Sequence, residues 1–238
     1  MTGIAVPEGV TRIRDCRLTL TDAPWTYAER HTAAIAAHWQ RRSAESAAFF
    51  NGRILLTVEA ALVAEKLEAR AAIIQFAAFL HWRETGYADT DVCDAFGSAL
   101  ILSADGALML GRQRTGNLNA GLLYPPGGFI DPRDVGPDGT IDVAASIARE
   151  IAEEAGLDSA TLARDPGFIL SRLGQQLAIG AVHRSALPTR DLRDAMIAGL
   201  AHDPERELVE IVPVSSRAEA SGLPVPEWTR GFIDALLP

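Results

Sequence analysis

Cysteine is scarce in this sequence: only Cys16 and Cys93 occur in 238 residues. They stand far apart and have no metal-ligand spacing, so a disulfide-dense secreted scaffold is excluded and two buried free thiols in a reducing cytosol are expected. Long apolar runs are missing as well. The longest, Ala71 to Leu80, is interrupted by Gln75 and falls short of the ~18 consecutive residues of a membrane helix. Residues Met1 to Val10 have no apolar stretch behind a basic start, so no secretory signal is expected. Basic charge is also short, with 22 Lys and Arg against 31 Asp and Glu and a formal net charge of −9. A nucleic-acid binder usually needs a basic surface, so no nucleic acid and no membrane are expected as partners, and the location expected is cytoplasmic. Two catalytic signatures are absent: there is no Gly-x-x-x-x-Gly-Lys-Ser/Thr phosphate loop and no Gly-x-Ser-x-Gly elbow. His31, His38, His81, His183 and His202 include no pair at zinc-ligand spacing.

What is present describes an ordinary globular chain, 48% hydrophobic and 22% charged, long enough for one large domain or two small ones. The most informative stretch is Arg149-Glu150-Ile151-Ala152-Glu153-Glu154-Ala155-Gly156-Leu157. At ~3.6 residues per turn, Glu150, Glu153 and Glu154 share one helical face. Carboxylates placed so repel one another, and a hard, oxygen-preferring cation such as Mg²⁺ relieves that cost. Val143, Ala144, Ile147, Ala148, Ile151 and Ala155 supply an apolar stripe that buries the other side. The plain alternative is a solvated acidic face, with Arg149 and Glu153 as an ordinary i,i+4 pair.

The nine residues from Arg149 to Leu157 resemble the second half of the Nudix hydrolase signature at every defined position. Upstream, Tyr124-Pro125-Pro126-Gly127-Gly128-Phe129-Ile130-Asp131 resembles the Pro-Gly-Gly strand end that opens it. The two halves are separated more widely than in the family: the leading glycine there precedes the arginine by fourteen positions, and Gly128 precedes Arg149 by twenty-one. The extra residues fall in 132–140, which carry turn chemistry. Counting back from Arg149, the family's first glutamate falls on Ile141, which cannot bind metal. Asp131 and Asp142 are nearby carboxylates that could substitute, although Asp142 also suits the N-cap of the helix.

The resemblance implies an α/β fold with a mixed sheet, a Nudix-type α/β/α sandwich over residues 95–238, preceded by a small N-terminal α/β module in residues 1–94. That module resembles the one found in family members that cleave UDP-sugars, in its β-α-β layout, in Trp39 and Arg41 on its helix, and in Phe50-Asn51-Gly52. The resemblance implies hydrolysis of a nucleoside diphosphate linked to another moiety, a small nucleotide-diphosphate substrate, and Mg²⁺, with Mn²⁺ as the alternative. Glu150, Glu153 and Glu154 would be metal ligands and catalytic groups, and Arg149 would orient a glutamate. Gly127 and Gly128 would let substrate approach the backbone closely. Arg112 and Arg114, before the motif, are candidates to pair with phosphate, with solvated surface arginines as the alternative. Glu205, Glu207 and Glu210 are candidates for the general base. Coenzyme A, ADP-ribose and dinucleoside polyphosphates are other substrate classes. A Nudix-like nucleotide-binding or regulatory protein with reduced turnover is the reading from another class. The family and the extra module together suggest a homodimer.

The remaining pattern predicts a strand over Arg12–Leu20, a helix over Ala28–Ala47, strands over Arg53–Val63 and from Leu67, and a short helix over 78–88. An Asp105-Gly106 hairpin joins strands at Ala99–Leu102 and Ala107–Leu110. Later strands are expected at Phe168–Leu173, Gln176–Val182 and Leu208–Val214, and helices at Arg190–Leu200 and Trp228–Leu237.

Overall fold

Apolar segments build two sheets, the central strands β6 and β12 of the larger one buried on both faces, and one amphipathic helix lies between the sheets. The computed structural model describes residues 3–45, 49–200 and 207–238. In chain order the elements begin with β1 (Gly3–Ala5), β2 (Gly9–Ile13), β3 (Asp15–Leu20), α1 (Thr26–Arg30), α2 (Thr32–Glu45), β4 (Arg53–Val63), β5 (Lys66–Gln75) and α3 (Phe76–Glu84). There follow β6 (Asp94–Leu102), β7 (Leu108–Gln113), β8 (Leu123–Tyr124), β9 (Thr140–Ile141) and α4 (Val143–Ala155). The chain closes with β10 (Ala163–Arg164), β11 (Phe168–Leu173), β12 (Gln176–Arg184), α5 (Thr189–Leu200), β13 (Leu208–Val214), α6 (Arg217–Ala220) and α7 (Glu227–Leu236).

The smaller sheet has the order β1-β4-β5-β3-β9 and the larger β13-β7-β6-β12-β11-β2, with β8 on β7 and β10 on β12. Both are mixed: β6 and β12 run parallel, as do β3 and β5, among antiparallel neighbours. Helices cover both faces of the larger sheet. On one face Ile147, Ile151 and Ala155 of α4, with Leu192 and Met196 of α5, pack on Ala99, Ile101, Ile179 and Ala181. The same cluster takes in Leu18, Leu55, Leu67 and Ala69 from the smaller sheet, so α4 is buried between the two. On the other face Trp228, Phe232 and Ile233 of α7 cover Leu100, Leu110 and Val182. This is the α/β/α arrangement expected. A third, aromatic cluster of Trp25, Tyr27, Phe76, Phe79 and Trp82 holds the N-terminal helices on β4 and β5.

One expected strand is two. The Arg12–Leu20 segment breaks at Arg14, whose N–H donates to the Glu65 carbonyl at 2.8 Å, and its halves join different sheets. The buried side chains explain the break: Ile13 is at an odd position and Leu18 at an even one, a phase slip that one continuous strand cannot carry. The expected Ala28–Ala47 helix is likewise interrupted at His31, and its last residues lie outside the described ones. The extra segment before α4 is not only turns. It contains a 3₁₀ turn at Pro132–Asp134 and then β9, which pairs with β3. Among the described residues no helix is long and apolar enough to cross a membrane.

Candidate active site

The α4 helix starts and stops where its end residues require. Asp142 caps it, its carboxylate accepting the Ala145 N–H at 2.9 Å, which is the capping role weighed for it from sequence. Gly156 ends it in the left-handed conformation, φ +63°, where a side chain is unfavourable. With both ends fixed and the apolar stripe buried, Glu150 and Glu154, one turn apart, are carried to the wall of a cavity of about 1100 Å³. Gly127 and Gly128 line the same wall. The Gly127 N–H donates to Glu154 Oε2 at 2.7 Å, and a Cβ on Gly127 would lie 2.2 Å from the Gly97 carbonyl oxygen of β6. Only glycine lets this turn lie so close to the strand while its N–H reaches Glu154.

The three glutamates do not sit alike. Glu150 and Glu154 are buried, whereas the Glu153 side chain is 53% exposed and lies 3.9 Å from Arg149. Among the described residues no three His, Cys, Asp or Glu side chains form a group that could hold a metal by themselves. The outward turn of Glu153 toward Arg149 is one physical reason. Burial pushes the Glu150 carboxyl up to about 7 against the pull of Arg149. It raises Glu154 well above the usual carboxylate range, with Glu150 and Glu207 adding to the rise and a Glu207 side-chain hydrogen bond among its causes. Two carboxyl groups can share a hydrogen bond only by sharing a proton. A hard cation fits the place of that proton, because the donors are all oxygens and Mg²⁺ keeps several waters and needs few protein ligands.

Arg149 faces away from the cavity centre, onto the segment that lengthens the motif. It pairs with Asp134 and lies 3.7 Å from both Asp131 and Glu150. Sequence reasoning missed Asp134, whose side chain is 2% exposed and also accepts the Asp131 N–H at 3.0 Å. The Asp131-x-x-Asp134 spacing of a capping box was the available signal. Asp131 lines the cavity edge but is engaged by Arg133 at 2.6 Å. Against the penalty of burial, those hydrogen bonds hold its carboxyl below the usual range. Ile141, which the sequence resemblance sets at a first-glutamate position, is buried in β9 opposite Leu18.

The other sequence candidates separate clearly. Of the three candidate bases, Glu207 lines the cavity. Glu210 pairs with Arg112 at 2.6 Å, and Glu205 lies outside the described residues. Arg112 also donates to the Gly121 carbonyl at 3.2 Å. Neither Arg112 nor Arg114 is on the cavity wall, where Arg53, Arg83 and Arg133 stand instead. His183 is buried, with Nδ1 3.1 Å from the Ala181 carbonyl. His31, His38 and His81 gather in a ring cluster away from the cavity, with His38 Nε2 2.8 Å from Glu84.

No protein-family model matches the chain, and no curated protein matches it significantly. Solved structures similar to it include the MutT protein of Methanosarcina mazei, at 21% identity over 60% of this chain and 91% of that one, TM-score 0.39. A Nudix hydrolase of M. smegmatis, RenU, is 15% identical over 60% and 83%, TM-score 0.38. A Nudix hydrolase of Nitrosomonas europaea is 17% identical over 60% and 88%, TM-score 0.38.

Proposed function

We propose that the chain is a divalent-metal-dependent hydrolase of nucleoside diphosphates linked to another moiety, with UDP-sugars as the substrate class favoured by its N-terminal module. The observation that carries the reading is the buried pair Glu150 and Glu154 on the cavity wall, with the Gly127 N–H bound to Glu154 and Glu207 beside it. Mg²⁺, when bound, supplies charge neutralisation at the diphosphate and Lewis acidity. Glu150 and Glu154 would hold it, and Glu153 at the rim would complete the set through water. Glu207 would take the proton of the attacking water as general base. Gly127 fixes Glu154, Gly128 leaves room beside Glu150, and Arg149 holds the helix to Asp134. Arg114, past the end of β7, remains a proposed phosphate contact, whereas Arg112 is held on β7 by Glu210 and the Gly121 carbonyl.

A second reading is a nucleotide-binding or regulatory protein with reduced turnover, and buried Ile141 at the first-glutamate position favours it. Hydrolysis separates the two. Purified protein with Mg²⁺ is assayed on UDP-sugars, ADP-ribose, coenzyme A and dinucleoside polyphosphates, with Glu154→Gln alongside. The expected result is turnover of one class that falls by about 100-fold or more in the variant, as for loss of a group acting in the transition state. Ligand-induced stabilisation without metal-dependent product release would favour the binding protein.

A further inference from the structure

Strand β6 forms a floor of the cavity. Side chains alternate across a strand, so Asp94, Phe96 and Ser98 share one face, and all three line the cavity. Two of them carry unpartnered polar groups. Ser98 Oγ is buried with no hydrogen-bond partner. Asp94 is 5% exposed, and among the described residues Arg83 acts on its carboxylate only through space. Its backbone N–H is spent on the Gln175 carbonyl at 2.7 Å. Arg83 of α3 stands on the same wall near enough to act on Asp94 through space. Its Nη2 donates instead to Asn119 Oδ1 at 2.6 Å, and Asn119 donates to the Tyr124 hydroxyl at 3.3 Å. Arg83 is thus positioned by the wall without satisfying Asp94.

A largely buried carboxyl that faces a cleft with no side chain bonded to it is a candidate for ligand recognition. We propose that Asp94, with Arg83 beside it, forms a specificity subsite that accepts hydrogen bonds from hydroxyl groups on the moiety attached to the diphosphate. An ionised carboxylate accepts, a protonated one also donates, and a guanidinium only donates, so a hydroxyl, which both donates and accepts, matches this pair in either state of Asp94. An anionic group is repelled by Asp94, and an apolar one leaves it unpaired. The distance fits. A Cβ on Gly127 would meet Ser98 Cα at 3.0 Å, so Ser98 marks the diphosphate end beside Glu154. Asp94 lies four residues further along the strand, about 13 Å away at ~3.3 Å per residue. A diphosphate carrying one hexose-sized ring covers that length. The subsite rests on the reading of the site as a diphosphate hydrolase.

The test compares two nucleoside diphosphates, one esterified to a hexose and one to a methyl group, as substrates and as methylene-bridged analogues that cannot be cleaved at the bridge. Calorimetric titration with the analogues in Mg²⁺ reads binding without turnover. Asp94→Leu is expected to weaken the hexose analogue at least roughly 100-fold, well inside what hydroxyl recognition can reach, and to leave the methyl analogue within about threefold. Asp94→Asn, which keeps an acceptor, restores part of the difference. In assays the loss falls on KM rather than kcat. Equal weakening of both analogues, or no binding of the hexose analogue to the unmutated protein, overturns the subsite. Asp94-dependent binding of the hexose analogue by a protein that hydrolyses neither substrate overturns the hydrolase reading and leaves the subsite standing. Hydrolysis of the hexose substrate at unchanged KM in Asp94→Leu does the reverse.

Discussion

Asp94 sets stability against use. Burial pushes its carboxyl up to about 7 from an ordinary 3.8, with Arg83 pulling the other way. The folded protein therefore holds this proton more tightly than the unfolded chain does. The stability it contributes is fully present below about pH 4 and is lost as pH rises through about 7. A shift from 3.8 to about 7 corresponds to at most roughly 4 kcal/mol. Glu150, raised to about 7 as well, acts in the same direction over the same window, so the unmutated protein should melt at a lower temperature at pH 8 than at pH 5. Glu154, raised by burial too, adds in the same direction, and Asp94→Asn removes one of these contributions. Its melting temperature is expected to decline less between those pH values and to exceed the unmutated protein's at pH 8 by several degrees, at about 2–4 °C per kcal/mol. Parallel pH profiles for the two proteins in calorimetry would falsify this account of Asp94.

At the scale of elements, α4 depends on the segment that lengthens the motif. Asp134 binds Arg149 and the Asp131 N–H from a nearly closed position. Asp134→Ala leaves the guanidinium with Asp131, Glu150 and Glu153 at 3.7 to 3.9 Å. The expected loss is about 3 kcal/mol, the low end for breaking a buried pair, because Arg149 keeps 21% of its side chain exposed. Urea denaturation measures it, and a loss below about 1 kcal/mol, the range of exposed pairs, would mean that the three other carboxylates hold Arg149 by themselves. The α4 helix was legible because its apolar stripe, Asp142 cap and Gly156 stop all agree. The β4 and β5 strands and the Asp105-Gly106 hairpin were legible for the same kind of reason. The split of β2 from β3 was written in the phase slip between Ile13 and Leu18 but hidden by continuous β propensity across Arg14. Strand β9, two residues long, is too short to carry a periodicity. The polar wall was not legible at all. Asp94 and Ser98 of β6, Arg83 of α3 and Glu207 just before β13 come from three separate stretches, and only the fold makes them neighbours.

Strand exchange ties the whole molecule together. Strand β2, from the N-terminal stretch, lies against β11 at the end of the larger sheet over five residue pairs, from Phe168 with Ile13 to Arg172 with Gly9. Strand β9, from the segment within the signature, closes the end of the smaller sheet on β3. The apolar cluster around α4 draws side chains from both sheets, and the cavity takes residues from both. Neither sheet can therefore unfold alone without uncovering an edge strand and half of a shared core. The resemblance implies separate modules in residues 1–94 and 95–238, and pairing of β2 with β11 and of β9 with β3 would couple them energetically. Heating is predicted to give one cooperative transition, with calorimetric and van't Hoff enthalpies equal and far- and near-ultraviolet circular dichroism changing together. The aromatic cluster around Trp82 belongs mainly to the N-terminal stretch, so its near-ultraviolet signal reports that half. Loss of that signal at a lower temperature than loss of the β-sheet signal would mean that the smaller sheet unfolds first, and that the exchanged strands add too little to join the halves.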